Sequence, residues 1–156
     1  MHAAILIIGS NIQPEANIAR ALDLMRERFT VRELSSAWRT EPVGTKGPYF
    51  LNLAARIETD LDAESLKWGV LREIEERLGR VRTADKYAPR PIDLDIVLFD
   101  GEVLDEGLWE RGYIALTVAE LEPDLVHPGT GETLAEVAQR LHRHYDAVQV
   151  KDQPGK

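Results

Sequence analysis

Apolar residues run unbroken from Ala3 to Ile8 and stop at Gly9-Ser10-Asn11. A run of that length closed by turn formers predicts a buried strand leaving into a turn. The period then changes. Ile18, Ala21, Leu22 and Met25 recur at helical spacing behind Pro14 and Glu15, which predicts a helix to about Phe29. Residues 30–38 are rich in strand formers. Residues 39–48 hold two prolines and two glycines and predict a loop. Residues 50–58 predict a strand. Leu66, Val70, Ile74 and Leu78 mark the apolar stripe of a second helix, capped by Asp60 or Asp62 and ended by Gly79. A second loop, 80–91, is bounded by Pro89 and Pro91. Ile92 to Phe99 is the most strand-like segment, and Val97-Leu98-Phe99 suggests that it is a central strand. Asp100-Gly101 predicts a turn and residues 102–104 a short return strand. Residues 114–121 and 132–144 predict helices, with the turn His127 to Gly131 between them.

The order strand, helix, strand, strand, helix, strand predicts an α+β fold. Its core is a ferredoxin-like βαββαβ unit, with helices packed on an antiparallel-rich sheet and a C-terminal helical extension. No repeat, low-complexity segment or linker interrupts it. One domain over residues 1–150 is expected, followed by a frayed tail at 151–156.

Composition narrows the class. The 156 residues are 44% hydrophobic and 29% charged, ordinary for a soluble domain able to bury a core. There is no cysteine, which excludes disulfides and thiolate metal sites. With no signal-like segment, this predicts a cytoplasmic protein. The net charge of -8 argues against a general nucleic-acid binder. Charge is uneven, however. Arg80, Arg82, Lys86 and Arg90 face only Asp85 within residues 80–90. A basic island in an acidic chain suits a small anionic ligand, although a solvated charged loop has the same composition.

Asp93 and Asp95 follow that island. Strand side chains alternate faces, so both carboxylates point one way while Ile92, Leu94 and Ile96 point the other. Two aspartates in an apolar strand require compensation of their charge. Magnesium does this with one or two carboxylates plus water and substrate phosphates. Arginine forks bind phosphate oxygens, so Arg80, Arg82 and Arg90 beside Asp93 and Asp95 fit phosphoryl transfer. No Walker-type loop is present, which excludes a P-loop site. The loop from Thr40 to Asn52 carries Tyr49, Phe50 and Asn52. These could serve a flat heteroaromatic ligand, though composition alone favours a surface hairpin. His142 and His144 do not share a helix face, His127 lies in a turn, and no nucleophile elbow occurs. Zinc, histidine-nucleophile and serine-triad chemistry are therefore not expected.

Five motifs together resemble one family. They are Gly9-Ser10-Asn11, Arg39-Thr40-Glu41-Pro42-Val43-Gly44, Tyr49-Phe50-Leu51-Asn52, Leu78-Gly79-Arg80-Val81-Arg82 and Tyr87-Ala88-Pro89-Arg90-Pro91-Ile92-Asp93-Leu94-Asp95-Ile96. From about residue 4 to residue 128 the chain resembles the 6-hydroxymethyl-7,8-dihydropterin pyrophosphokinases of folate biosynthesis. The resemblance implies attack of the pterin hydroxymethyl oxygen on the β-phosphorus of ATP, with AMP leaving and two magnesium ions bridging the phosphates. It implies Asp93 and Asp95 as metal ligands, and Arg82, Arg90, Asp93 and Asp95 as the catalytic set. Arg72, Glu75, Arg80, Arg82, Arg90, Ile96 and Arg111 would meet ATP. Thr40, Val43, Phe50, Asn52, Tyr87, Asp93 and Tyr113 would line the pterin pocket. A monomer acting on small molecules follows, with no nucleic-acid or membrane partner.

The chain departs from the family pattern in three places. Residues 104–111 are several residues short and lack the usual Pro-His pair and its basic neighbours. Arg72 stands where a glutamine is common. Glu41 and Phe50 replace a proline and a tyrosine. The shortened segment leaves a second reading open, a non-catalytic or weakly active pterin- or nucleotide-binding descendant. A third, a regulatory ferredoxin-like domain, has the basic loop beside the aspartates against it.

Overall fold

The structure, a computed structural model, describes residues 1–40, 48–84, 88–144 and 147–150. The apolar run forms β1 (His2–Ser10), buried from Ala4 to Ser10. Helix α1 (Pro14–Arg28) starts on a proline and buries Ile18, Ala21, Leu22 and Met25, as the spacing predicts. The 30–38 segment divides into β2 (Thr30–Leu34) and β3 (Ala37–Thr40). Buried Ser35 separates them: its N–H donates to the Ala54 carbonyl at 2.8 Å and its hydroxyl accepts from the Ala54 N–H at 2.8 Å. Both strands lie along β4 (Phe50–Thr59).

The second helix begins at Asp62, whose carboxylate accepts from the Ser65 N–H at 2.8 Å. Its first part, Ser65–Leu71, is π-helical and runs straight into α2 (Arg72–Arg77). Leu66, Val70, Ile74 and Leu78 are buried, and Gly79 ends the helix at φ +93°. Strand β5 (Asp93–Phe99) turns back through Asp100 (φ 49°) and Gly101 (φ 83°) into β6 (Glu102–Val103). Consecutive left-handed residues are what a tight hairpin needs. A 3-10 turn (Glu106–Trp109) leads to α3 (Gly112–Leu121). Helix α4 (Leu134–His142) is fixed by a capping box between Thr133 and Glu136.

The sheet order is β6-β5-β1-β4-β3-β7, with β2 also on β4, and every pairing is antiparallel. Ala4, Leu6, Ile8, Leu53, Leu94 and Ile96 pack with α1 and the Ser65–Arg77 helix. Ile5, Ile7, Trp38, Ala54 and Val97 pack with α3 and α4. The ferredoxin-like expectation is met, with two differences. Strand β7 (Ala147–Val150) adds to β3 where no strand was expected. And β5 is central only at its end. Beyond β1 it pairs with β6 at Leu98 and Phe99, and the Val97 carbonyl accepts from the Leu104 N–H, which leaves Asp93 to Ile96 without a strand partner on that side among the described residues. Among the described residues, no helix is long and apolar enough to cross a membrane.

Candidate active site

The site grows from β5 and its neighbours. Gly9 of β1 pairs with Asp93 on one side and Asn52 of β4 on the other, and Ile7 pairs with Asp95. Paired residues share a face, so Gly9, Asn52, Asp93 and Asp95 lie together. Trp38 pairs with Asn52, and Thr40 with Phe50, which puts Thr40 and Phe50 on that face as well. Asn52 is 5% exposed and donates to the Thr40 hydroxyl at 3.2 Å. A Cβ built on Gly9 would stand 2.5 Å from the Asn52 Oδ1. Only glycine lets the Asn52 amide lie across β1.

The phosphate-type residues gather around one carboxylate. Glu75 is 2% exposed. Its Oε2 accepts from Arg80 Nη1 at 2.5 Å and from the Leu94 N–H at 2.9 Å, on the open edge of β5. Its Oε1 accepts from Arg82 Nη2 at 2.7 Å, with Arg72 Nε at 3.7 Å. Arg80 also donates to Asp93 Oδ1 at 2.9 Å and to the Ile92 carbonyl at 3.3 Å. Arg90 stands 3.7 Å from Asp93 Oδ2. A buried charge persists only when paired, and here each is paired several times. Two recesses open on this network. One, of about 210 Å³, is lined by Arg80, Val81, Arg82, Thr83, Ala88, Pro89 and Arg90. The other, of about 160 Å³, is lined by Arg72, Glu75, Glu76, Arg80 and Arg82.

Asp95 has a different environment. Its Oδ1 accepts from the Ile96 N–H at 3.0 Å. Burial pushes its carboxyl above the usual carboxylate range, and the nearby charges of Asp105 and Asp93 push the same way; Lys67 and the Ile96 N–H oppose them. A desolvated carboxylate beside a second one fits a hard cation that completes its shell from water and phosphate. Among the described residues no group of three or more histidine, aspartate or glutamate side chains is gathered to hold a metal alone.

Arg111 and Tyr113 open α3 from the third side. Burial raises the Tyr113 hydroxyl above the ordinary tyrosine range, opposed by the Arg111 guanidinium beside it and reinforced by Asp93 and Asp105. Arg111 is itself raised, chiefly by Tyr113. The shortened segment thus forms a closed turn: Asp105 accepts from the Gly107 N–H at 2.9 Å, and Leu108 and Trp109 are buried.

Most residues implied by the resemblance therefore converge. Val43 and Tyr87 lie outside the described residues. Two others are placed by packing in ways that spacing does not reveal. The Ile96 side chain is buried with Leu94 in the α1 layer, so it offers a ligand only its backbone. The Glu75 carboxylate is held by the arginines while also lining the smaller recess. Spacing along the chain gives Asn11 little weight. It is 5% exposed, accepts from the Arg90 N–H at 2.7 Å and donates to the Arg90 carbonyl at 3.2 Å. It thereby ties the basic loop to the end of β1; only the Gly9-Ser10-Asn11 resemblance pointed to it.

Paired strand aspartates beside a buried arginine network, without a P-loop, define a class: an α+β enzyme that handles a polyphosphate. The comparisons make it specific. Residues 5–123 match the family 7,8-dihydro-6-hydroxymethylpterin-pyrophosphokinase (HPPK). The 2-amino-4-hydroxy-6-hydroxymethyldihydropteridine pyrophosphokinase of Methylorubrum extorquens is 37% identical over 153 residues, covering 90% of this chain and 94% of that protein. The folic acid synthesis protein fol1 of Schizosaccharomyces pombe is 37% identical over 150 residues, 88% of this chain but only 20% of its own length. The HPPK-DHPS protein of Plasmodium falciparum has a similar fold, with a TM-score of 0.70 at 13% identity over 90% of this chain and 45% of that one. This chain belongs to the HPPK family. The activity that goes with membership is ATP-dependent diphosphate transfer in folate biosynthesis.

Proposed function

We propose that the site transfers diphosphate from ATP to the hydroxymethyl group of 6-hydroxymethyl-7,8-dihydropterin, with named residues in named roles. The hydroxymethyl oxygen forms a bond to the β-phosphorus, the bond from that phosphorus to the bridging oxygen of AMP breaks, and the hydroxyl proton is lost. The observation that carries this reading is the Asp93–Arg80–Glu75–Arg82 network at the open edge of β5. Asp93 and Asp95 would hold two magnesium ions, which when bound neutralise phosphate charge. Arg80, Arg82 and Arg90, with Arg72 at the rim, meet the phosphates; Arg111 stands across from them. Thr40, Phe50, Asn52 and Tyr113 receive the pterin, with the Asn52 amide reading its hydrogen-bonding edge. Such a site works by positioning and charge neutralisation, with little covalent work for the protein. On this reading the chain acts as a monomer on small molecules in the cytoplasm.

The test is direct. Purified protein with ATP, magnesium and the hydroxymethyl-dihydropterin should release AMP, and should stop doing so in Asp93→Ala. Tight pterin binding without AMP would instead make the chain a non-catalytic descendant.

The floor of the pterin pocket is separately testable. Gly9→Ala should displace the Asn52 amide. We expect pterin affinity to fall at least tenfold and stability to drop by about 1–3 kcal/mol, the usual range for overpacking. Calorimetric pterin titration and urea unfolding read the two effects.

A further inference from the structure

The shortened segment 104–111 carries one basic residue, Arg111, and the turn before it is built around that side chain. Asp105 caps the 3-10 turn Glu106–Trp109, its carboxylate accepting from the Gly107 N–H at 2.9 Å. Leu108 and Trp109 anchor the turn in the core, with the Trp109 ring edge-on to His127 at 4.8 Å between centroids. The Gly107 carbonyl accepts from the Glu110 N–H at 3.1 Å and from the Arg111 N–H at 2.8 Å. The Arg111 side chain then lies back over Gly107. A Cβ built there would stand 3.2 Å from Arg111 Cδ, 3.4 Å from its Nε and 2.9 Å from Asp105 Oδ1. Gly107 is not one of the glycines at positive φ, so the backbone does not call for glycine at this position. The space under Arg111 does.

The groove has charged walls as well as a floor. The Tyr113 hydroxyl and the charge of Asp105 both act on the Arg111 guanidinium, and the charge of Asp105 also reaches Asp95. The turn therefore stands beside the paired aspartates. An arginine on a free stem gives up rotamer freedom when it meets a phosphate; one already laid in a groove gives up less. We propose that the short turn is a cradle that pre-sets Arg111 toward the polyphosphate, with Gly107 as the positioning residue whose missing side chain makes the groove. This rests on the proposed site, in which Arg111 stands across from the phosphates. Gly107 acts only through Arg111. A methyl group there would push the guanidinium stem and the Asp105 carboxylate aside, and both are side chains that can swing without unfolding the turn.

The test is a double-mutant cycle. Calorimetry with magnesium would measure inorganic tripolyphosphate on the wild type, Gly107→Ala, Arg111→Ala and the double variant. Gly107→Ala should weaken binding about tenfold, the scale of one lost charge-assisted hydrogen bond. The double variant should bind no more weakly than Arg111→Ala, because the groove then has nothing to position. AMP release should follow the same pattern in kcat/KM for ATP, with KM for the pterin unchanged. The melting temperature of Gly107→Ala should stay within about 3 °C of the wild type. Unchanged tripolyphosphate affinity in Gly107→Ala, or a further loss in the double variant, would overturn the cradle and leave the phosphate site standing. A wild type that does not bind tripolyphosphate would overturn both.

Discussion

Asp95→Asn is expected to abolish AMP formation, by about a thousandfold or more, and to raise the melting temperature of the metal-free protein at pH 7. The first effect follows from removing a proposed magnesium ligand, since a metal's charge stabilisation amounts to several kcal/mol and each 1.4 kcal/mol is about tenfold in rate. The second follows from burial. The Asp95 carboxyl is raised in the folded protein, chiefly by desolvation. A group so raised favours folding while protonated. That contribution is full below its unfolded pKa and is lost as pH rises through the folded one. Above the folded pKa the wild type therefore carries that penalty, and a neutral amide removes it. Partial exposure to water screens the effect, so a gain of only about 2 °C is expected. Melts in a chelator should show the gain at neutral pH and its disappearance as the pH falls toward the ordinary carboxylate range. A variant that loses activity and also melts lower at pH 7 would show that Asp95 stabilises the fold.

Glu75→Ala should be the most destabilising single change in the site, at about 3–5 kcal/mol, the usual cost of breaking a buried ion pair. Arg80 has a side chain 8% exposed and, among the described residues, would be left with the Asp93 carboxylate. The Leu94 N–H would lose its acceptor too. Domains of this kind are stable by only about 5–15 kcal/mol, so the loss is a large fraction of the total. Glu75→Gln should cost less, because an amide oxygen can still accept from Leu94. Arg82→Ala should cost least, because that side chain is 45% exposed. Urea unfolding of the three variants checks the order. If Arg82→Ala proved as costly as Glu75→Ala, Glu75 would not be the centre of the network.

The chain announced those features that depend on local period and spacing. The β1 run, the α1 stripe, the Asp62 and Gly79 boundaries and the Asp100-Gly101 turn all follow from neighbours in sequence. The same is true of Asp93 and Asp95 sharing a face. What escaped depends on partners far away. Strand β7 is four residues long and exists because β3 offers an edge. The open edge of β5 is decided by the brevity of β6, which nothing within Asp93 to Phe99 reveals. Glu75 reads as one acid among several on α2. Only packing shows that it turns inward while Glu73 and Glu76 face water. Gly9 and Asn11 looked like a simple turn until the pairings with Asn52, Asp93 and Arg90 gave each of them a neighbour.

The central claim is that both terminal phosphates of ATP move together. Phosphorus NMR of a reaction containing the protein, ATP, magnesium and the hydroxymethyl-dihydropterin reads this directly. The account predicts a pair of mutually coupled phosphorus signals on the pterin, appearing in step with AMP. A single uncoupled phosphate on the pterin together with ADP, or no new phosphorus signal at all, would contradict it.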